Sequence, residues 1–160
     1  MAKRRSMKSS ACPVARSVDL VGDRWSLLIV RDAFDGTRRF SDFQRSLGVA
    51  RNILTERLRG LVAEGILAIQ PASDGSSYQE YRLTAKGESL FSVVVALRQW
   101  GERFLFERGE ERSKLVDRQT NKPVGMLLLR DSTGRELKAK DTVVLKRPTS
   151  TLATNNTLLG

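Results

Sequence analysis

Arg39-Phe40-Ser41-Asp42-Phe43-Gln44-Arg45-Ser46-Leu47-Gly48-Val49-Ala50-Arg51-Asn52-Ile53-Leu54-Thr55-Glu56-Arg57-Leu58-Arg59-Gly60-Leu61-Val62-Ala63-Glu64-Gly65 is the stretch on which the fold turns. Ser41 followed by Gln44 has the spacing of a capping box, in which each side chain satisfies a free backbone donor at a helix start. The helix it opens is short, running to Leu47, and Gly48 breaks it. Helical spacing resumes from Val49 to Glu64, with Leu54, Leu58 and Leu61 on one stripe and Gly65 closing it. Two helices joined by a turn of three or four residues that contains glycine match a helix-turn-helix.

Toward the N-terminus, Cys12-Pro13 reads as a helix start, because proline is preorganised for the first helical position. Val14, Val18 and Val21 form its apolar stripe, and Gly22 is expected to end it as a C′ residue. Asp23 reads as the N-cap of a second helix that carries Trp25, Leu28 and Ile29 inward, and Asp35-Gly36 as a turn. Toward the C-terminus, Ile66 to Ile69 reads as a strand. Asp74-Gly75, within Pro71 to Ser77, is a hairpin turn, and Tyr78 to Leu83 is the returning strand with Tyr81 and Leu83 on one face. Thr84 then caps one long helix expected to reach about Glu107, roughly 35 Å of helix. Leu90, Val94, Leu97 and Phe104 lie on one side of it, with Phe91 and Val95 beside them. So wide an apolar arc in so small a domain calls for a second body to pack on, and a homodimer is expected. Its candidate interface is Val14, Val18, Leu90, Phe91, Val94, Leu97, Trp100 and Phe104.

The pattern therefore predicts an α+β, mainly α fold: a winged helix-turn-helix domain with a long C-terminal dimerisation helix and a small C-terminal β-extension. The expected divisions are a basic arm at 1–11, the winged domain at 12–107, the β-extension at 108–148 and a frayed tail at 149–160. In the extension, Val124 to Arg130 and Thr142 to Lys146 read as strands, with Leu115-Val116 as a third short one.

Composition narrows the function. The 160 residues carry 28 Lys+Arg against 18 Asp+Glu, a net charge of +10. With no His and one Cys there is no imidazole base, no Ser-His or Cys-His pair and no structural zinc set, so no enzyme, metal or cofactor is expected. Apolar runs such as Ser92-Val93-Val94-Val95-Ala96-Leu97 are too short to span a bilayer, and no apolar segment follows Met1-Ala2-Lys3-Arg4-Arg5 as a secretory signal would require. A cytoplasmic, nucleoid-associated protein with no membrane partner is expected. The charge divides as +4 in residues 1–11, +1 in 12–107 and +5 in 108–160. Within the nearly neutral middle, Arg38, Arg39, Arg45, Arg51, Arg57 and Arg59 face only Asp42 and Glu56 between Arg38 and Arg59, a local +4 on the helix-turn-helix.

Several spaced blocks also resemble one family. Cys12-Pro13-Val14 and Gly22-Asp23-Arg24-Trp25-Ser26-Leu27-Leu28-Ile29-Val30-Arg31 resemble the opening of HxlR-type transcriptional regulators, relatives of the MarR group. Arg39 to Phe43 is similar to the start of that family's helix-turn-helix. Leu54 to Leu67 is similar to its recognition helix and first wing strand, and Tyr81 to Gly87 to its second strand and the turn beyond. The resemblance covers roughly residues 12–105. It implies a bacterial, homodimeric, sequence-specific regulator binding double-stranded DNA, as repressor or dual regulator, at a palindromic operator.

In a helix-turn-helix the second helix enters the major groove. With Leu54, Leu58 and Leu61 inward, Asn52, Glu56, Arg59 and Ala63 turn to the far side, flanked by Arg51 and Thr55. Candidate base readers are Arg51, Asn52, Thr55 and Glu56. Arginine suits guanine and asparagine adenine, each worth about 1–3 kcal/mol of discrimination, while Glu56 either accepts from cytosine or orients Arg59. Candidate phosphate contacts are Arg38, Arg39, Ser41, Arg57, Arg59 and Arg82; the bland alternative for any one of them is a solubilising surface charge. The wing tip Ser73-Asp74-Gly75-Ser76-Ser77 is acidic, unlike a phosphate clamp, and the arm Lys3-Arg4-Arg5 is a candidate substitute. Cys12, at a helix start with Arg16 one turn on, is a candidate redox sensor, against the simpler reading of a small structural residue. Trp25, Trp100, Phe104 and Phe106 either line a pocket for a small apolar effector or are core and interface. A protein-interaction module without specific DNA binding is the competing reading.

Overall fold

The structure, a computed structural model, describes residues 6–146; the expected arm residues Lys3-Arg4-Arg5 and the tail 149–160 lie outside them. The chain divides after Leu127 into two units. In the first, the order is α1 (Pro13–Val21), α2 (Arg24–Phe34), α3 (Phe40–Leu47), α4 (Arg51–Ala63), β1 (Leu67–Pro71), β2 (Gln79–Leu83), α5 (Ala85–Glu88) and α6 (Phe91–Phe104). This is the mainly helical α+β winged architecture that the pattern implied.

Local chemistry sets most boundaries. The Asp23 carboxylate accepts from the Trp25 and Ser26 N–H groups, both at 3.0 Å, and starts α2 as expected. Gly48 ends α3 at φ 59°, in the left-handed region that glycine enters without a Cβ penalty. α4 closes in a Schellman motif: Ile66 N–H donates to the Leu61 carbonyl at 2.9 Å and Gly65 N–H to Val62 at 3.0 Å. β1 and β2 pair antiparallel with Leu67 opposite Leu83 and Ile69 opposite Tyr81. Tyr81 N–H also donates to the Arg38 carbonyl at 2.8 Å, which brings the segment before α3 alongside the hairpin.

The core is one cluster centred on α2. Ile29, Val30, Phe43, Leu54, Leu58, Leu61 and Leu67 are fully buried, with Val21, Val49 and Ile66 around them. The α4 leucine stripe thus packs as its spacing requires. Trp25, Leu90 and Val94 are partly buried against the same cluster.

Four local expectations need correction. Ser41 is no cap: α3 starts at Phe40 with Arg39 as N-cap and no side-chain cap bond, and the Tyr81–Arg38 bond, which fixes the backbone entering α3, sets that start one residue before Ser41. Gly22 is not a left-handed C′ residue. It sits at φ −77°, and a Cβ there would lie 2.5 Å from the Val18 carbonyl oxygen, so a close backbone approach demands glycine, not handedness. The single helix from Thr84 to Glu107 is instead α5 and α6. Thr84 does cap α5, accepting from Gly87 N–H at 3.1 Å. But a Cβ at Gly87 would lie 2.2 Å from the Ile66 carbonyl oxygen, so α5 is pressed onto the start of the hairpin. The chain then turns through a Leu90 N–H to Gly87 carbonyl bond before α6 departs, and α6 ends at Phe104. Finally, among the described residues no strand forms at Val124 to Arg130 or at Thr142 to Lys146, and Leu115-Val116 adds none. β-pairing there is limited to a Val116–Pro123 bridge in the first unit and an Arg130–Glu136 bridge in the second, each closing a turn that an aspartate organises. Asp117 accepts from Gln119 and Thr120 N–H, and Asp131 from Thr133 and Arg135 N–H. With the turn donors satisfied locally, the apolar runs beside them have no ladder to join.

Candidate nucleic-acid interface

α4 presents two faces. Leu54, Leu58 and Leu61 are sealed in the core, and Asn52, Glu56, Arg59 and Ala63 are exposed opposite them. Arg51 is exposed at the first turn, its guanidinium carbon 5.1 Å from the Phe40 ring centroid. That cation–π contact rests the Arg51 guanidinium against the first residue of α3. Thr55 is half-buried. Its hydroxyl donates to the Arg51 carbonyl at 2.8 Å, which leaves the oxygen's lone pairs to accept. Arg51, Asn52, Thr55 and Glu56 therefore share the N-terminal half of one solvent-facing helix.

The basic residues fall into two groups. Arg59 and Arg45 are exposed, Arg45 with Asp42 at 3.2 Å, and Ser41 is exposed in the first turn of α3. Arg57, Arg82 and Arg39 are tied to carboxylates elsewhere in the chain. Arg57 Nε lies 3.2 Å from the Asp23 carboxylate and its Nη1 3.4 Å from Glu56, so Arg57 is drawn back to the start of α2. Arg82 donates to Glu80 at 2.9 Å. Glu80 is buried and also accepts from Ser73 N–H at 3.3 Å and its hydroxyl at 3.1 Å. Burial alone would raise the Glu80 carboxyl; the hydrogen bonds from Ser73 and Arg82 outweigh that and hold it below the ordinary glutamate value. Arg39, beside Arg38 before α3, pairs with Asp74 at the wing tip and stacks 5.4 Å from the Tyr78 ring centroid. Hydrogen bonds from Ser76, with Arg39, bring the Asp74 carboxyl down to about 2.

The acidic wing tip thus has a partner, which sequence reasoning missed. Arg39 and Asp74 are 35 residues apart, and only the folding of the hairpin back over α3 joins them. Arg57 and Asp23 are likewise distant in sequence and are joined where α4 packs on α2. The one available signal was the conjunction of an acidic tip with a neighbouring arginine excess.

The described start of the chain is pinned away from the first turns of α4. Lys8 Nζ donates to Glu64 at 2.5 Å, and Ser6 and Met7 bond Asp19 at 2.9 Å. Glu64 follows the last turn of α4. Cys12 is an exposed free thiol at the N-cap of α1, but Arg16 Nε donates to the Ser10 carbonyl at 2.5 Å, so its guanidinium is committed to backbone.

The candidate interface residues lie on two helices. Val14, Val18, Phe91, Leu97, Trp100 and Phe104 are exposed, while Leu90 and Val94 pack partly on the core. Trp100 and Phe104 stack 5.7 Å apart on α6, and Phe91 meets Phe34 edge-on at 5.2 Å. Among the described residues no helix is long and apolar enough to cross a membrane.

Two helices meeting at a left-handed glycine, an exposed polar face on the second and a hairpin behind it define a winged helix-turn-helix module. The chain belongs to the HxlR-like helix-turn-helix family, whose model matches residues 20–109. It is 48% identical over 92 residues to Rv3095 of Mycobacterium tuberculosis, an uncharacterised HTH-type transcriptional regulator. That match takes in 58% of each chain, so this chain spans less than two thirds of that relative's length. Among solved structures it is similar to PA1607, a proposed transcription factor, with TM-score 0.83 and 51% identity over 88% of this chain and 99% of that one. It is also similar to the redox regulator HypR in its oxidised form, with TM-score 0.53 and 32% identity over 57% of this chain and 96% of that one.

Proposed function

We propose that this chain is a homodimeric transcriptional regulator that binds double-stranded DNA sequence-specifically, with α4 in the major groove. The carrying observation is the two-faced α4: an inner leucine stripe locked in the core, and an outer face offering Arg51, Asn52, Thr55 and Glu56 from the first turns. Such a helix projects its N-terminal residues to base edges. Arg38, Ser41 and Arg59 are the proposed phosphate contacts, and Arg39 and Arg82 join them only on leaving Asp74 and Glu80. Arg57 is placed with them less directly, since its pair with Asp23 fixes α4 against α2. The exposed apolar rows of α1 and α6 supply the twofold interface, and a twofold protein reads a palindromic operator. Repression, or dual regulation, follows from where such an operator overlaps a promoter, and the working compartment is the cytoplasm.

Cys12 is the candidate redox input. The likeness to a redox regulator supports it, as does the thiol's exposure. If Cys12→Ser leaves diamide-induced release from DNA unaltered, this input is excluded.

A second reading, an interaction module without specific DNA binding, is favoured by one feature: Asp74 masks Arg39 at the wing. Fluorescence anisotropy with duplexes from the gene's own upstream region separates the two. A preference of at least about 10³-fold over random duplex at physiological salt is expected. No preference refutes the regulator reading.

A further inference from the structure

Between α2 and α6, bordered by residues 106–113, lies a cavity of about 280 Å³. Leu27 and Leu28 of α2, Val94 and Leu97 of α6, and Phe106 form its apolar wall. Of the four aromatic residues considered for an effector pocket, only Phe106 lines it. Three guanidinium groups, Arg31, Arg98 and Arg112, border it against the single carboxylate of Glu102. Two of the three are committed. Arg31 donates to Asp32 through Nε at 2.9 Å and Nη2 at 2.6 Å. Arg98 donates to the Ser113 carbonyl at 3.1 Å and hydroxyl at 3.0 Å, and lies 3.5 Å from Glu102. Arg112 has no ion pair among the described residues, and its guanidinium carbon sits 5.8 Å from the Phe106 ring centroid.

A second, independent feature points the same way. Gly101 lines the cavity from the interior of α6, where glycine weakens a helix relative to alanine. Its backbone is helical, so handedness does not demand it. A Cβ at Gly101 would meet nothing nearer than Leu105 Cδ1 at 3.9 Å. What the missing side chain leaves is room in the cavity wall.

We propose that this cavity binds a small amphipathic monoanion, an aromatic or branched aliphatic carboxylate. Its apolar body lies among Leu28, Val94 and Phe106, and its carboxylate pairs with Arg112. Apolar walls with few convergent polar groups are the usual composition of small-molecule sites. A dry cavity of about 150 Å³ accommodates benzene, so this one suits a substituted ring or two fused rings. With Arg31 paired to Asp32 and Arg98 to Glu102, Arg112 is left to select an anion, and its planar fork matches a carboxylate. The site does not depend on the DNA-binding reading.

Calorimetric titration of the full chain, without DNA, with 2-naphthoate and with the neutral 2-naphthamide tests it. One naphthoate per chain is expected, bound roughly tenfold or more tightly than the amide. Arg112→Gln should erase that preference and leave amide binding unchanged. Gly101→Leu, which extends a side chain into the cavity from a Cβ position without a clash, should abolish binding of both, with the melting temperature showing the domain folded. Absence of saturable naphthoate binding overturns the proposal. So does a preference that survives Arg112→Gln, or unaltered binding by Gly101→Leu.

Discussion

Replacing Asp74 by Asn removes the carboxylate that holds Arg39 at the wing tip while keeping the residue's shape. Arg39 stays positioned by its stack on Tyr78, 5.4 Å from ring centroid to guanidinium carbon, but loses its counter-charge. The pair is half in solvent, the side chains 35% and 52% exposed for Arg39 and Asp74, so its loss should scarcely disturb the fold. The effect should appear in DNA binding. One newly available guanidinium at the start of α3 adds one phosphate contact, and each contact steepens the plot of log affinity against log salt by about 0.9. Between 50 and 200 mM salt the variant should therefore lose about 3.5-fold more affinity than the wild type, from a higher starting value. Anisotropy titrations across that range on random duplex read the slope directly. Arg39→Gln in the Asp74→Asn background should cancel the gain, as a double-mutant cycle requires. Acid should not mimic the substitution in the working range. The Asp74 carboxyl is depressed from 3.8 to about 2, so its pairing is intact above 3.8 and lost only as pH falls through about 2. A slope unchanged by Asp74→Asn, or a gain that persists without Arg39, would refute the reasoning.

Other consequences follow from the same geometry. Leu58 is 1% exposed at the centre of α4, and Leu58→Ala should cost about 2–5 kcal/mol; calorimetry should show melting lowered by roughly 10 °C or more. Burial pushes the Asp23 carboxyl up, but hydrogen bonds from Ser26 and the charge of Arg57 outweigh it and hold it below 3.8. That stabilisation is present above 3.8 and lost as pH falls through the depressed value, so denaturant midpoints of wild type and Asp23→Asn should stay apart at pH 7 and converge only as pH falls below 3.8. Gly48→Ala places a Cβ at φ 59° in otherwise open space, and chemical denaturation should report a loss of about 1 kcal/mol from backbone strain alone. Arg51→Ala and Asn52→Ala should each cost about 1–3 kcal/mol on the preferred duplex and relax discrimination at one base pair; Arg59→Ala should weaken all duplexes alike.

The readings that survived are those governed by neighbours a few residues apart. Asp23 caps α2 because its carboxylate reaches N–H groups two and three residues on. Gly48 ends α3 because only glycine enters the left-handed region without strain. Leu54, Leu58 and Leu61 face inward because helical rotation lets them do nothing else once the core forms. The same rotation placed Arg51, Asn52 and Glu56 on the open face. The failures share the opposite origin. Ser41 and Gln44 had the spacing of a capping box, but a hydrogen bond from Tyr81, on the far side of the hairpin, settled how the chain enters α3. Gly87 sits in a helical pattern, yet its contact with the Ile66 carbonyl divides that pattern in two. The β-prone runs after residue 108 had propensity without a partner ladder.

Order along the chain therefore determined the helix-turn-helix, its hairpin and the polar face of α4, since period, caps and turn glycines are local quantities. Tertiary structure decided which charges remain available. Arg57 is bound to Asp23, Arg39 to Asp74 and Arg82 to Glu80, while Arg51, Arg59 and Arg112 carry no ion pair among the described residues. Net charge counts all six alike. A Coulomb interaction depends on distance in space: Glu80 is two residues from Arg82, but Asp74 and Asp23 come within reach of Arg39 and Arg57 only once the hairpin has closed over α3 and α4 has packed on α2.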